Sequence, residues 1–164
     1  MKTLYLIGGT MGVGKTAACN ALKTMLPNAV FLDGDWCWDM HPFVVHDETK
    51  AMVLDNITHL LNNFLACSSL ENVIFCWVMH EQSIIDEILA RLNTETCRVV
   101  CVSLICSEQT LRQRLEADIA AGVRRSGILS RSLPRLPLYA AQNTRKLDTT
   151  ALTAEETAAA ISRL

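Results

Sequence analysis

The chain has 164 residues, half of them hydrophobic, and a formal net charge of −2. That length suits one α/β domain with a sizeable core. No apolar run approaches the ~20 residues that a membrane span requires, and a near-neutral charge gives no general footprint for nucleic acid.

Met1-Lys2-Thr3 leads directly into a strand and lacks a signal-peptide cleavage pattern. A cytoplasmic protein is expected, monomeric or homodimeric, with neither membrane nor nucleic-acid partners. Seven cysteines, none in a C-x-x-C pair, lie mostly in apolar segments and read as reduced thiols. Their spacings relative to the four histidines match no zinc pattern.

In chain order, Thr3 to Ile7 forms a buried strand that runs into Gly8-Gly9-Thr10-Met11-Gly12-Val13-Gly14-Lys15-Thr16. Gly9 to Thr16 spells G-x-x-x-x-G-K-T, a phosphate-binding P-loop, and a helix from Ala17 to Leu26 follows until Pro27 stops it. Ala29 to Leu32 is a second strand, closed by Asp33-Gly34-Asp35, with a polar and aromatic segment after it from Trp36 to His46. A long helix starts near Asp47 or Thr49, with Val53, Leu54, Ile57, Leu60, Leu61, Phe64 and Leu65 forming one apolar stripe. Val73 to Met79 is the third strand, and Ile84, Ile85, Ile88, Leu89 and Leu92 mark the third helix. Arg98 to Ile105 is the fourth strand, and Ser107 caps a helix carrying Leu111, Leu115 and Ile119. The pattern breaks into a small basic segment from Gly122 to Arg135. A further helix is expected over Leu138 to Asn143, then a short strand at Arg145 to Leu147. Thr153-x-x-Glu156 is a capping box that opens the last helix.

Strands alternating with helices predict a three-layer α/β/α sandwich around a five-stranded parallel sheet. One domain spans residues 1–164, with a short lid at roughly 122–135.

The P-loop is the most specific signal. Its glycines let backbone N–H groups curl around phosphate oxygens, and the helix N-terminus adds positive potential. The nucleotide-binding residues are therefore Gly9, Thr10, Met11, Gly12, Val13, Gly14, Lys15, Thr16 and Ala17. Lys15 can bridge the β- and γ-phosphates of ATP, and the Thr16 hydroxyl suits Mg²⁺. Asp33-Gly34-Asp35 falls at the carboxyl end of a strand, where open parallel sheets bind ligands. One carboxylate can serve the hydrated metal and the other can orient or deprotonate an attacking hydroxyl.

Phe31-Leu32-Asp33-Gly34-Asp35 resembles the D-G-D segment of gluconate and adenylylsulfate kinases, and is similar to the D-x-D of shikimate kinases. Arg135-Leu136-Pro137-Leu138-Tyr139, followed by Leu147-Asp148-Thr149, resembles the shikimate-kinase run R-x-P-L-Y and its later D-T. The resemblance implies a nucleotide-kinase-like P-loop fold, with Asp33 supporting Mg²⁺, Asp35 facing the substrate hydroxyl and Arg135 binding an anionic group. Residues 36–66 contain no arginine, and Trp77 to Glu81 stand where shikimate kinases have a Gly-rich turn, so shikimate itself is not the expected acceptor. A looser similarity to tunicamycin-resistance proteins runs through Glu87-Ile88-x-x-Arg91-Leu92 and Glu108-x-x-Leu111-x-x-Arg114-Leu115.

These features lead to an ATP- and Mg²⁺-dependent kinase that phosphorylates a hydroxyl of a small molecule. Lys15, Asp35 and a lid arginine, Arg124 or Arg125, are the catalytic candidates. Thr16 and Asp33 are the metal candidates, and Asp35, Trp36 and Arg135 the substrate candidates. His80 and Glu81 stay open between a Walker-B-like role and the first turn of a helix. A GTPase switch would need N-K-x-D, which Asn143-Thr144-Arg145-Lys146 does not supply. The alternative is a nucleotide-dependent binding or resistance protein without turnover.

Overall fold

The computed structural model describes residues 1–164. Its centre is a five-stranded sheet of β1 (Lys2–Gly8), β2 (Ala29–Asp33), β3 (Asn72–Trp77), β4 (Cys97–Ile105) and β5 (Arg145–Asp148), in the order β2-β3-β1-β4-β5. Every strand pair is parallel. The helices are α1 (Lys15–Met25), α2 (Asp47–Ala66), α3 (Gln82–Ala90), α4 (Glu108–Ala120), α5 (Ile128–Ser132) and α6 (Ala154–Ser162).

The layering follows from the two-residue repeat of a strand, which sends alternate side chains to opposite faces. Along β1, Tyr5 and Ile7 join a core built with α1, α4, α5 and α6, while Leu4 and Leu6 join a second core with α2 and α3. Both faces are covered, which is why the parallel strands read as nearly continuous apolar runs. The sheet is the expected three-layer sandwich.

Topology places the chemistry. From the central β1 the chain runs to β2 on one side, and β4 pairs on the other. The loop after β1 therefore sits where strand order reverses, the position at which an open α/β sheet presents a ligand crevice. The ends of β2 and β3 lie on the same rim.

Local signals set several boundaries. The Ser107 side chain accepts from the Thr110 amide at 3.1 Å, and Thr153 and Glu156 close the expected capping box at 2.8 and 3.1 Å. His46 caps α2 through Nδ1, which accepts from the Thr49 amide. Helix α1 starts two residues earlier than expected, at Lys15, so Lys15 and Thr16 belong to its first turn. The helix expected over Leu138 to Asn143 is instead a 3-10 stretch over Leu133–Ala141. Pro134 and Pro137 have no N–H for the i−4 ladder and prevent a regular α-helix there.

Candidate active site

Two cavities meet at the carboxyl ends of the strands. The first, about 340 Å³, is lined by Met11, Gly12, Gly14, Lys15, Thr16 and Ala17 of the loop and α1, with Asp33, Asp35, Arg114, Asp118 and Arg124. The second, about 500 Å³, is bounded by Trp38, Phe43, Leu54, Trp77, Met79 and Ile84 among its apolar residues, and by Asp35, Lys50, His80, Glu87, Arg131 and Arg135. Asp35 and Met11 line both.

The loop owes its shape to glycine at defined points. Gly14, at φ 105°, precedes α1 in a left-handed conformation that a side chain would strain. As first-turn positions, Lys15, Thr16 and Ala17 have amides without an intrahelical i−4 carbonyl, the helix has no side-chain cap, and all three residues line the cavity. Such amides favour anions. Val13 is buried, and its carbonyl accepts from Arg114 Nη1 at 3.0 Å. Thr10 is fully buried and its hydroxyl donates to the Ser132 carbonyl at 2.8 Å, while Ser132 Oγ donates to the Met11 carbonyl. Thr10, Val13 and Gly9 thus shape the loop from behind, and the other P-loop residues line the cavity.

Lys15 reaches back across the loop and donates to the carbonyls of Gly9 and Thr10 at 2.8 and 3.1 Å. Desolvation lowers its pKa below the ordinary lysine value, against the opposing pull of Asp35 and Asp33. Thr16 Oγ1 donates to Asp33 Oδ2 at 2.7 Å, and Asp33 Oδ1 accepts from the Asp35 amide at 3.0 Å. Asp33 is buried and doubly engaged; Asp35 is exposed to the cavities. Partial desolvation, and then the neighbouring Asp33 charge, raise the Asp35 pKa above the usual carboxylate value, with Lys15 acting in the opposite direction.

A hydroxyl and a carboxylate in contact form an all-oxygen donor pair. That chemistry fits Mg²⁺, which takes one or two protein oxygens and completes its shell with water and phosphate. Thr16 and Asp33 are the residues that would hold it.

Gly34 has a role the motif alone does not reveal. A Cβ at this position would come within 2.5 Å of Trp77 Cγ and 2.7 Å of Cδ1. The glycine lets the β2 turn lie directly on the indole, which also lines the second cavity. Gly34→Ala should cost about 1–3 kcal/mol, the usual price of overpacking a rigid contact. Urea unfolding measures this, and a variant within 0.3 kcal/mol of the parent, a surface-like effect, would contradict it.

The remaining expected residues divide. Arg124 lines the first cavity and pairs with Asp118 through Nε at 2.9 Å; Arg125 is exposed and lines neither cavity. Arg112 pairs with Glu108 on the outer face of α4 at 3.1 Å. Arg135 is half-buried in the second cavity. Trp36 is 57 % exposed, with its ring edge against Phe31, and lies outside both cavities. The 3-10 turn at Gly34–Trp38 carries Trp38 inward in its place.

At the end of β3, Glu81 is the exposed N-cap of α3 and lines neither cavity, whereas His80 borders the second. Burial, and then Arg135, lower the His80 pKa. Tyr139 of the R-x-P-L-Y run is fully buried and donates to the Val78 carbonyl at 2.6 Å, tying the 3-10 stretch that carries Arg135 to the end of β3.

Two contributors escaped the sequence reading as individuals. Arg114 joins the loop to the β5 end, donating to the Val13 carbonyl and, at 2.7 Å, to the Thr149 carbonyl. Asp118 holds Arg124. A signal for Arg114 existed: it stands three residues after buried Leu111, at the edge of the inward stripe, while Arg112 faces out.

No curated protein matches the chain. Among solved structures it is similar to a tunicamycin resistance protein of Deinococcus radiodurans, with TM-score 0.72 and 18% identity over 99% of this chain and 95% of that one. It is also similar to a gluconokinase from Sinorhizobium meliloti 1021, with TM-score 0.66 and 20% identity over 98% and 92%. A shikimate kinase from Acinetobacter baumannii, in complex with shikimate, gives TM-score 0.65 and 21% identity over 99% and 92%. At these identities the likeness is one of fold, and the fold is that of the P-loop kinases. No helix is long and apolar enough to cross a membrane. The family model described as an AAA domain matches residues 6–129, which include the P-loop, Asp33, Asp35 and Arg124, and the chain belongs to that family.

Proposed function

We propose that the protein is an ATP- and Mg²⁺-dependent kinase that transfers the γ-phosphate to a hydroxyl of a small-molecule acceptor. The observation that carries this reading is the position of Asp35. It is exposed on the wall common to a cavity rimmed by P-loop groups and a larger, more apolar one. A base at that junction can hold an acceptor hydroxyl against a phosphate bound on the other side.

The roles follow from the contacts. The first-turn amides of α1 and the Lys15 ammonium bind phosphate oxygens, and Lys15 gives up its carbonyl partners to do so. Thr16 and Asp33 would hold the metal, which would supply positive charge against the phosphate being transferred. Asp35 accepts the proton of the acceptor hydroxyl. Arg124, which lines the same cavity as Lys15, adds a second positive charge, in the sense required by charge on the transferred group.

The direct test is ADP release from ATP with and without a panel of hydroxylated acceptors. Acceptor-stimulated release supports the kinase. Tight acceptor binding with no release across the panel supports a nucleotide-dependent binding protein instead. The two adjacent arginines give a sharper comparison. Arg124→Ala should lower kcat about 10²-fold, the scale of one lost electrostatic donor, whereas Arg125→Ala should leave it within about twofold, as for a solvated charge. Equal losses in both variants would remove Arg124 from its assigned role.

A further inference from the structure

The second cavity has a chemical character of its own. Trp38 lies 6.2 Å from Trp77 and 5.6 Å from Phe43, ring centre to ring centre, so one wall is a row of three aromatic rings beginning beside the Asp35 turn. Phe43 stays 61 % exposed and Val45 54 %, held at the mouth by the Trp38 Nε1 bond to the Val44 carbonyl at 3.1 Å. Large apolar groups kept half-exposed around a concavity are the mark of a ligand surface more than of a core.

The polar wall is equally particular. Arg131 and Arg135 both line this cavity, and neither side chain makes an ion pair within the chain. Glu87, which also lines the cavity, is engaged by Arg91 at 2.7 Å and makes no ion pair with either arginine. Both arginines are carried on anchored backbone. Ser132, next to Arg131, is fixed to Thr10 and Met11 of the P-loop, and Tyr139 fixes the following stretch to Val78. Two guanidinium groups on rigid supports match a carboxylate or similar anion.

We propose that the acceptor is an amphipathic alcohol: a planar ring system with a hydroxyl near one end and an anionic group near the other. Its ring packs against the Trp38 and Trp77 rings, whose planes meet at 46°, its anion is held between Arg131 and Arg135, and its hydroxyl reaches Asp35. A polyol acid is disfavoured because each hydroxyl turned to the aromatic row would lose water without gaining a partner. The transfer of phosphate to that hydroxyl rests on the kinase reading; the binding class does not.

Binding is therefore tested without nucleotide, by calorimetry on the full chain. The probes are 6-(hydroxymethyl)-2-naphthoate, the neutral 2-naphthalenemethanol, and gluconate. The ring acid should bind roughly tenfold or more tighter than the neutral ring, the scale of a charge-assisted bidentate contact, and tighter than gluconate. Replacing Arg131 and Arg135 together by alanine should erase the preference for the ring acid over the neutral ring while the neutral ring still binds. The corresponding double lysine variant should keep part of the preference. Trp38→Leu should weaken both ring probes alike. Gluconate binding as tightly as the ring acid would overturn the proposal, as would no binding of either ring probe or a preference surviving the double alanine variant. A ring acid that binds yet draws no ADP release from ATP supports the cavity assignment and counts against the kinase.

Discussion

Asp35→Asn is expected to lower acceptor-dependent phosphoryl transfer by about 10²–10⁴-fold, the usual contribution of a positioned general base, while nucleotide affinity stays within about twofold. The amide keeps the shape of the side chain and loses its capacity to take a proton. In the parent protein, transfer should fall as pH drops through the Asp35 pKa, and the raised pKa puts that loss above the pH at which an ordinary exposed carboxylate protonates. The acidic limb of a kcat/KM profile measures it, and Asp35→Asn should flatten that limb. An asparagine variant with full transfer, or an unchanged acidic limb, would remove Asp35 from the role of base.

The same substitution also reports on folding, with the opposite sign. A carboxyl group whose pKa rises on folding holds its proton more tightly in the folded chain. For this group, folding is favoured at low pH, and the advantage fades as pH rises through the raised value. At neutral pH the ionised Asp35 therefore works against the fold, and asparagine should melt no lower than the parent. Lost transfer at retained or increased melting temperature is the signature of a group kept for chemistry at some cost in stability.

Lys15→Ala is expected to lower kcat/KM for ATP by about 10²–10³-fold, the scale of one removed electrostatic donor at a transferring phosphoryl group. The donor side is tested apart from the acceptor side. Binding of the aromatic acid probe to the second cavity should survive in Lys15→Ala, because Lys15 lines only the first cavity. The fold should survive too: Lys15 is half-buried, desolvation depresses its pKa, and its partners are two loop carbonyls. Unchanged ATP kinetics would sink the P-loop assignment, and loss of probe binding would show that the cavities do not act separately.

Gly34 connects these predictions to packing. The D-G-D turn brings Asp33 to Thr16 and Asp35 to the shared wall because residue 34 lies against Trp77 without a side chain. A substitution there tests whether the junction is held by that contact. The stability loss and a change at the acceptor cavity should then appear together, since Trp77 lines it.

The sequence by itself determined what depends on neighbours along the chain. Continuous apolar strand runs alternating with helix stripes specified a parallel α/β sandwich, because a sheet covered on both faces requires those patterns. The G-x-x-x-x-G-K-T run specified the phosphate loop because the loop is built from consecutive backbone groups. Asp33 and Asp35 were legible as a pair for the same reason: two residues apart at a strand end, they must share the rim. Only the tertiary structure decided what depends on rotation about an irregular turn or on contact between distant segments. The 3-10 turn after Asp33 sends Trp38 inward and Trp36 outward, and no periodicity marks which way it winds. Arg124 and Arg125 are adjacent in sequence, and the Asp118 pairing separates them in space. Arg131 and Arg135 meet the aromatic row because Ser132 packs on a loop more than a hundred residues earlier. A long-range contact of that kind leaves no local pattern, because its free energy comes from residues that the chain brings together only on folding.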